Sequence, residues 1–244
     1  MTMPRLCIIT PVYGATESAS VTLGYANARN VLLQCGNVAQ LPSDLFFSDD
    51  LVRGRSRAAC YAVEDTDATH FLWWDNDVVP DDACGITENM LRSGYDVVAA
   101  PYPVKRIAAR YPYRVGGADK AVRTLEGVNY CVDVDEIAMG FMITSRKALE
   151  TTIDAYREEK WYSDVRPGKP TREVVAIFDL MFGPIKEHQD GKLYRTLDSE
   201  DYSFCRRWRS VGGAVKMYVG PGAPLTHVGP HAYEGKIEDI GKIG

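Results

Sequence analysis

The segment Phe71-Leu72-Trp73-Trp74-Asp75-Asn76-Asp77-Val78-Val79-Pro80 constrains this chain more than any other. It opens as an unbroken apolar and aromatic run, as a strand covered on both faces does. It closes on two carboxylates one residue apart and a proline that stops the strand. Side chains alternate along an extended chain, so Asp75 and Asp77 fall on one side. Two carboxylates at the end of a core strand can serve one hard cation, Mn²⁺ or Mg²⁺, whose other ligands are phosphate oxygens and water. The competing reading is that both acids are solvated and cap the next helix.

A strand of this kind needs layers on both of its faces, and the rest of the chain supplies them. Leu6-Cys7-Ile8-Ile9 reads as a first short buried strand. Its exit, Thr10-Pro11-Val12-Tyr13, lies where open α/β sheets bind ligands, so these four residues are candidates to hold a nucleotide. Residues 18–33 read as a helix stopped by Gly36-Asn37, and a second strand falls within 41–47. Ala58 to Val63 is a helical run, with Ser56 or a neighbour as its cap. Arg53, Arg55 and Arg57 stand at that helix start, where cations oppose the macrodipole. An anion is therefore expected beside them, a diphosphate or the Asp75/Asp77 pair. Arg57, nearest the helix that leads into the central strand, is the favoured partner.

A further helix starts at Asp81 or Asp82 and runs to about Arg92. A strand over 96–100 leads into the rigid loop Pro101-Tyr102-Pro103-Val104-Lys105-Arg106, which carries two cations to a strand end. Gly116-Gly117 marks a turn, and a hairpin-like connection is expected over 122–131. Residues 137–144 fit a strand with a close backbone approach at Gly140, followed by a helix over about 146–157. The polar stretch 158–170, with Trp161 and Tyr162, reads as a substrate-facing insertion. Residues 174–182 are strand-like, and 214–219 read as the last strand. Asp198 or Ser199 is a natural N-cap, with Glu200 and Asp201 in the first turn. First-turn acids are commonplace through the macrodipole alone; the functional reading makes one of them a general base. His227, in the Gly- and Pro-held loop 221–231, is well placed to ligate a metal.

Composition narrows the class. A net charge of -5 over 244 residues argues against a general nucleic-acid binder. The six cysteines are scattered with no C-x-x-C, which points to buried free thiols in a reducing, cytoplasmic setting. No stretch approaches the length of a membrane span.

Taken in order, Thr10-Pro11-Val12-Tyr13, the Arg57 helix, the Phe71–Asp77 segment, Met139-Gly140-Phe141, Ser199-Glu200-Asp201-Tyr202-Ser203-Phe204 and His227-Val228-Gly229 resemble the GT-A class of nucleotide-sugar glycosyltransferases. The likeness is in particular to small bacterial and phage or viral family-2-like enzymes. It implies an α/β fold with a mixed, mostly parallel central sheet flanked by helices. It implies one domain over 1–244, with about 1–100 binding the nucleotide sugar and about 101–244 the acceptor. By that resemblance Mn²⁺ or Mg²⁺ is held by Asp77 and His227, with Asp75 acting through water or on the ribose. Thr10 to Tyr13, Arg57, Asn76 and Lys105 would serve the donor, a UDP- or GDP-sugar. Asp201, with Glu200 second, would be the base that activates a carbohydrate or other hydroxyl acceptor. The Gln/Arg-rich segment of processive members does not follow the acidic pair, so transfer of a single sugar is expected. The alternatives are a retaining transferase, a nucleotidyltransferase on a related sheet, and a non-catalytic sugar-binding module.

Overall fold

The structure is a computed structural model that describes residues 3–12, 30, 39–40, 44–47, 50–106, 110–115, 130–163, 171–229 and 232–236. Tyr13, the Gly116-Gly117 turn, most of the helix read over 18–33 and most of the connection read over 122–131 lie outside them. The chain runs through β1 (Arg5–Val12), β2 (Ala39–Gln40), β3 (Asp44–Phe47), α1 (Leu51–Asp65), β4 (His70–Trp74), β5 (Val78–Val79), α2 (Ala83–Arg92) and β6 (Val97–Ala99). It continues through β7 (Tyr113–Arg114), β8 (Cys131–Val134), β9 (Glu136–Ile137), β10 (Phe141–Ser145), α3 (Arg146–Ala155), β11 (Lys160–Ser163) and β12 (Arg172–Val175). The last described elements are β13 (Lys186–Glu187), β14 (Leu193–Tyr194), α4 (Glu200–Ser210), β15 (Val215–Tyr218), β16 (Thr226–Val228) and β17 (Ala232–Tyr233).

The aromatic run becomes an interior strand, β4, next to the sheet's central strand, β10. The main sheet has the order β2-β1-β4-β10-β6-β15-β8, with β3 also paired to β1. β1 is parallel to β2, β3 and β4, and β6 is parallel to β15. β10 is antiparallel to both β4 and β6, and β8 is antiparallel to β15. The sheet is thus mixed. β1, β4, β6 and β15 point one way, and β10 is a reversed strand in their midst.

Alternation along β1 and β4 divides the core into two layers. Cys7, Ile9, Phe71 and Trp73 face α1, α3 and α4, among them Ala59, Leu149 and Phe204. Leu6, Ile8, Leu72 and Trp74 face α2 through Ile86 and Met90. Both tryptophans are fully buried, and both keep their indole N–H satisfied, as burial requires. Trp73 Nε1 donates to Thr144 Oγ1 at 3.1 Å, and Trp74 Nε1 donates to the Val78 carbonyl at 2.8 Å. The second bond draws the turn after β4 back over its own strand.

Several boundaries differ from the sequence reading, each for a local reason. α1 starts at Leu51, because Asp50 accepts from Val52 N and caps it. Ser56 is therefore inside the helix, where its hydroxyl accepts from Phe178 N, and is not the cap. The apolar run 137–144 is split into β9 and β10 around Gly140. The strand-like run 174–182 leaves the extended form after Val175. The first part of the expected insertion, β11, pairs with β12, and Trp161 packs on the core. β15 is not the last strand, since β16 and β17 follow it. Cys7, Cys60, Cys131 and Cys205 are free and buried, but Cys84 is disulfide-bonded, which their spacing did not signal. Among the described residues, no helix is long and apolar enough to cross a membrane.

At Gly140 the backbone passes close against a core ring. A Cβ there would lie 2.6 Å from Tyr102 Oη and 2.7 Å from its Cζ. Tyr102 is itself buried, and its hydroxyl accepts from Gly140 N at 3.1 Å. Gly140→Ala should therefore cost about 1–3 kcal/mol by overpacking, measured as a lower denaturation midpoint in urea. Because the ring carbons also intrude, adding Tyr102→Phe should not restore the midpoint.

Candidate functional site

The parallel set β1, β4, β6 and β15 sends its following loops to one edge of the sheet. The reversed β10 brings its amino end, and so Gly140, to that same edge. The β1–β4 ladder runs to Ile9↔Trp73, so Thr10, Pro11 and Val12 leave it beside Trp74 and Asp75. Thr10 is buried and Pro11 half-buried. Asp75 N donates to Gly140 O at 2.9 Å, Asn76 sits in the turn, and Val78 N returns to Asp75 O at 3.0 Å.

The next two residues decide the site. β5 pairs antiparallel with β16, with His227 opposite Val78 and Thr226 opposite Val79. Val228 N donates to the Asp77 carbonyl at 2.7 Å. Backbone pairing across a long stretch of chain thus holds His227 Nε2 3.4 Å from Asp77 Oδ2. His227 lies on a strand and not in a loop, contrary to the sequence reading. Its Nδ1 is 2.8 Å from Pro103 O. A carbonyl only accepts, so Nδ1 carries the hydrogen there. The remaining nitrogen, Nε2, then turns a lone pair toward a carboxylate unless a proton or a cation lies between them. Lys105 meets the same carboxylate, with Nζ 2.5 Å from Asp77 Oδ2. Tyr102 packs edge-on against the imidazole, ring centroids 5.0 Å apart. Burial alone would raise the Asp77 pKa. The hydrogen bonds and charges of His227 and Lys105 outweigh it, and the carboxyl is held below its ordinary range.

Asp75 is held by a different cation. Arg55 Nη2 donates to both of its oxygens, at 2.8 and 3.0 Å. Arg55 Nη1 lies 3.4 Å from Glu200 Oε1. The Arg55 side chain is only 2% exposed, so a buried charge joins α1, the end of β4 and the start of α4. Burial raises the Asp75 pKa against the opposing charge of Arg55, and the neighbouring Asp77 adds to the rise. Glu200 is raised in the same way, by burial and by Asp201, with Arg55 opposing. Asp201 is half-buried and accepts from Ser199 Oγ and from its neighbour's amide, Tyr202 N.

Of the residues singled out in the sequence, Asp77, Lys105 and His227 meet around one carboxylate, and Asp75 meets Glu200 through Arg55. Arg57 does not take the part expected of it; Arg55 does. The reason is helical phase. With α1 starting at Leu51, Arg55 falls on the face of Ala58, Ala59 and Ala62, which the sheet covers. That face was readable from the spacing, but the helix start was misplaced. Tyr102 was also missed, since an aromatic residue between two prolines carries no signal of its own. Among the described residues, no three His, Cys, Asp or Glu side chains gather as a metal site. Asp75 is engaged by Arg55, which leaves Asp77 and His227 as a two-ligand set. That set fits a divalent cation by its chemistry, a hard oxygen beside an imidazole nitrogen whose lone pair needs positive charge.

No family model matches this chain, and no curated protein matches it. Among solved structures it is similar to A197 from STIV, at 16% identity and a TM-score of 0.50, over 92% of this chain and 85% of that one. That likeness is one of fold. It is also similar to a glycosyltransferase involved in the glycosylation of the major capsid of PBCV-1. This match has 14% identity and a TM-score of 0.34, over 60% of this chain and 63% of that one.

Two outcomes follow from the charges. Arg55→Ala leaves the half-buried Asp75 and Glu200 without their counter-charge and should lower stability by about 2–3 kcal/mol in chemical denaturation, below the full cost of breaking a wholly buried pair. Arg57→Ala should cost clearly less. Asp77 has a folded pKa below its ordinary value of 3.8, so its ionised form adds stability fully present above that value and lost as pH falls through the lower one. With chelator present, the melting temperature of Asp77→Asn should therefore decline less steeply than that of the parent protein below about pH 4.

Proposed function

We propose that this chain is a metal-dependent glycosyltransferase of GT-A type, moving one sugar from a nucleotide-diphosphate sugar to a hydroxyl acceptor. The observation that carries the proposal is the meeting of Asp77, His227 and Lys105 at the sheet edge where four strand exits converge. One carboxylate there faces both an imidazole nitrogen and an ammonium. A divalent cation at Asp77 and His227 would supply charge neutralisation for the departing diphosphate. The resemblance of the motifs and their order supports the same reading.

In this proposal each residue has a limited task. Thr10, Pro11 and Val12 form the exit of β1, where the nucleotide would sit, and Tyr13 follows them in the sequence. Asp75, oriented by Arg55, faces the ribose, and Asn76 lies in the same turn. Lys105 shifts from Asp77 to a phosphate oxygen, where its charge is worth more in a partly desolvated cleft. Asp201 accepts the proton of the acceptor hydroxyl as that oxygen bonds to the anomeric carbon. The bond from that carbon to the diphosphate oxygen breaks on the opposite face, which gives inversion. Glu200, tied to Arg55 by an ion pair, positions the start of α4 and with it Asp201.

The test is calorimetry with UDP- and GDP-sugars, with Mn²⁺ and with a chelator. Donor binding should need the metal in the parent protein and should be lost in Asp77→Asn. Asp201→Asn should keep metal-dependent donor binding and lose transfer by about 10²–10⁴-fold. Binding that is equal with metal and with chelator would overturn the metal role. Full turnover by Asp201→Asn would overturn the base assignment.

A further inference from the structure

A cavity of about 760 Å³ is lined by Arg114, Lys186, Arg195, Arg206 and Arg209 together with Asp135 and Glu136, with the exposed Phe182 at its lip. In a chain of net charge -5, five cations around one cavity call for an account. Three of them are matched by acids. Arg114 Nη1 donates to Glu136 Oε2 and to Asp198 Oδ1, both at 2.8 Å. Arg206 Nη2 reaches Glu136 Oε1 at 2.7 Å and Asp198 Oδ2 at 2.5 Å. These two arginines and two buried carboxylates form a fixed, neutral floor. Arg209 is paired with Asp135. Lys186 and Arg195 remain, and among the described residues neither side chain has an ion pair or hydrogen bond. They come from the hairpin of β13 and β14, whose register is Lys186↔Tyr194 and Glu187↔Leu193. The hairpin is closed onto the domain by Gly183 N to Thr196 O at 2.7 Å and Asp198 N to Met181 O at 2.8 Å.

The cavity therefore has a charge-balanced base and two surplus cations on one wall. Such a surplus matches an anion of about two charges, and not a neutral ligand. Phe182, 65% exposed on the same lip, gives an aromatic face against which a sugar ring can lie. The cavity is also joined to the edge site by a single rigid element. α4 begins with Glu200 and Asp201, and Arg206 follows about 9 Å further along the axis at the usual helical rise. Between them the Arg114 guanidinium lies over the Tyr202 ring, 4.6 Å from its centroid.

We infer that this cavity is an anion-binding subsite for an acceptor that carries a phosphate or carboxylate group, held at Lys186 and Arg195. The word acceptor rests on the transfer reading; the anion site stands on its own geometry. The test uses the full chain and Lys186→Ala/Arg195→Ala, two exposed residues whose side chains make no ion pair or hydrogen bond among the described residues. Inorganic phosphate, a hexose 6-phosphate, a hexuronate and the neutral hexose are titrated by calorimetry at low salt. At least one anionic probe should bind the parent protein, and the double variant should weaken it ten-fold or more. The neutral hexose should bind neither. The two sugar probes separate phosphate from carboxylate as the group preferred. Unchanged affinity in the double variant, or no anionic probe saturating below about 10 mM, overturns the inference. Donor binding with Mn²⁺ is measured on the same variant and should be unaltered. If the donor fails to bind either protein while the anion difference persists, the transfer reading falls and the anion site stands.

Discussion

Two hydrogen-bonded strands of two and three residues, β5 and β16, hold the candidate site together. Neither strand has a core of its own. Their pairing is worth having because each is anchored close by: Trp74 Nε1 grips the Val78 carbonyl, and Leu225 N is bonded to Pro101 O at 2.9 Å. With those anchors set, backbone geometry alone delivers His227 to Asp77, and the Pro103 carbonyl fixes which ring nitrogen faces the carboxylate. The chemistry proposed for this edge thus depends on a contact that involves no functional side chain.

Arg55 is the complementary constraint. A guanidinium at 2% exposure is expensive to bury, and it stays only because Asp75 and Glu200 surround it. Its presence divides the two acids of the D-x-D segment between separate partners. Asp75 belongs to a buried ion-pair group, while Asp77, two residues on and past the strand end, keeps its carboxylate for Lys105 and His227. Alternation in an ideal strand would have put both acids on one side. The turn at 75–77 undoes that, so equivalence of the two acids was the part of the sequence argument that strand geometry could not support.

Much of the architecture was legible because its signals are local. The both-faces-buried reading of Phe71 to Trp74 holds since each face meets helices, and Asp82 and Ser145 cap helices close to where spacing placed them. What was not legible depends on distance. The reversal of β10 is set by its neighbours in the sheet, not by its own residues. The short pairing strands in 226–233 have no hydrophobic period to reveal them. The error over Arg57 and Arg55 came from one misplaced cap, which left Arg55 outside the inferred helix. The two surplus cations of the hairpin look, in sequence, like ordinary surface charge.

The reversed strand β10 also bears on how the molecule can be divided. β4 and β6 are both encoded before residue 100, yet they touch only through a strand that begins at Phe141. Until that later segment inserts, each would present a bare, apolar ladder of unpaired amides and carbonyls, the usual template for wrong pairing between chains. The two notional halves of the polypeptide are therefore interleaved in space. Chain order says little about modularity here: the polypeptide closes like a zip whose middle tooth is made after the teeth on either side of it.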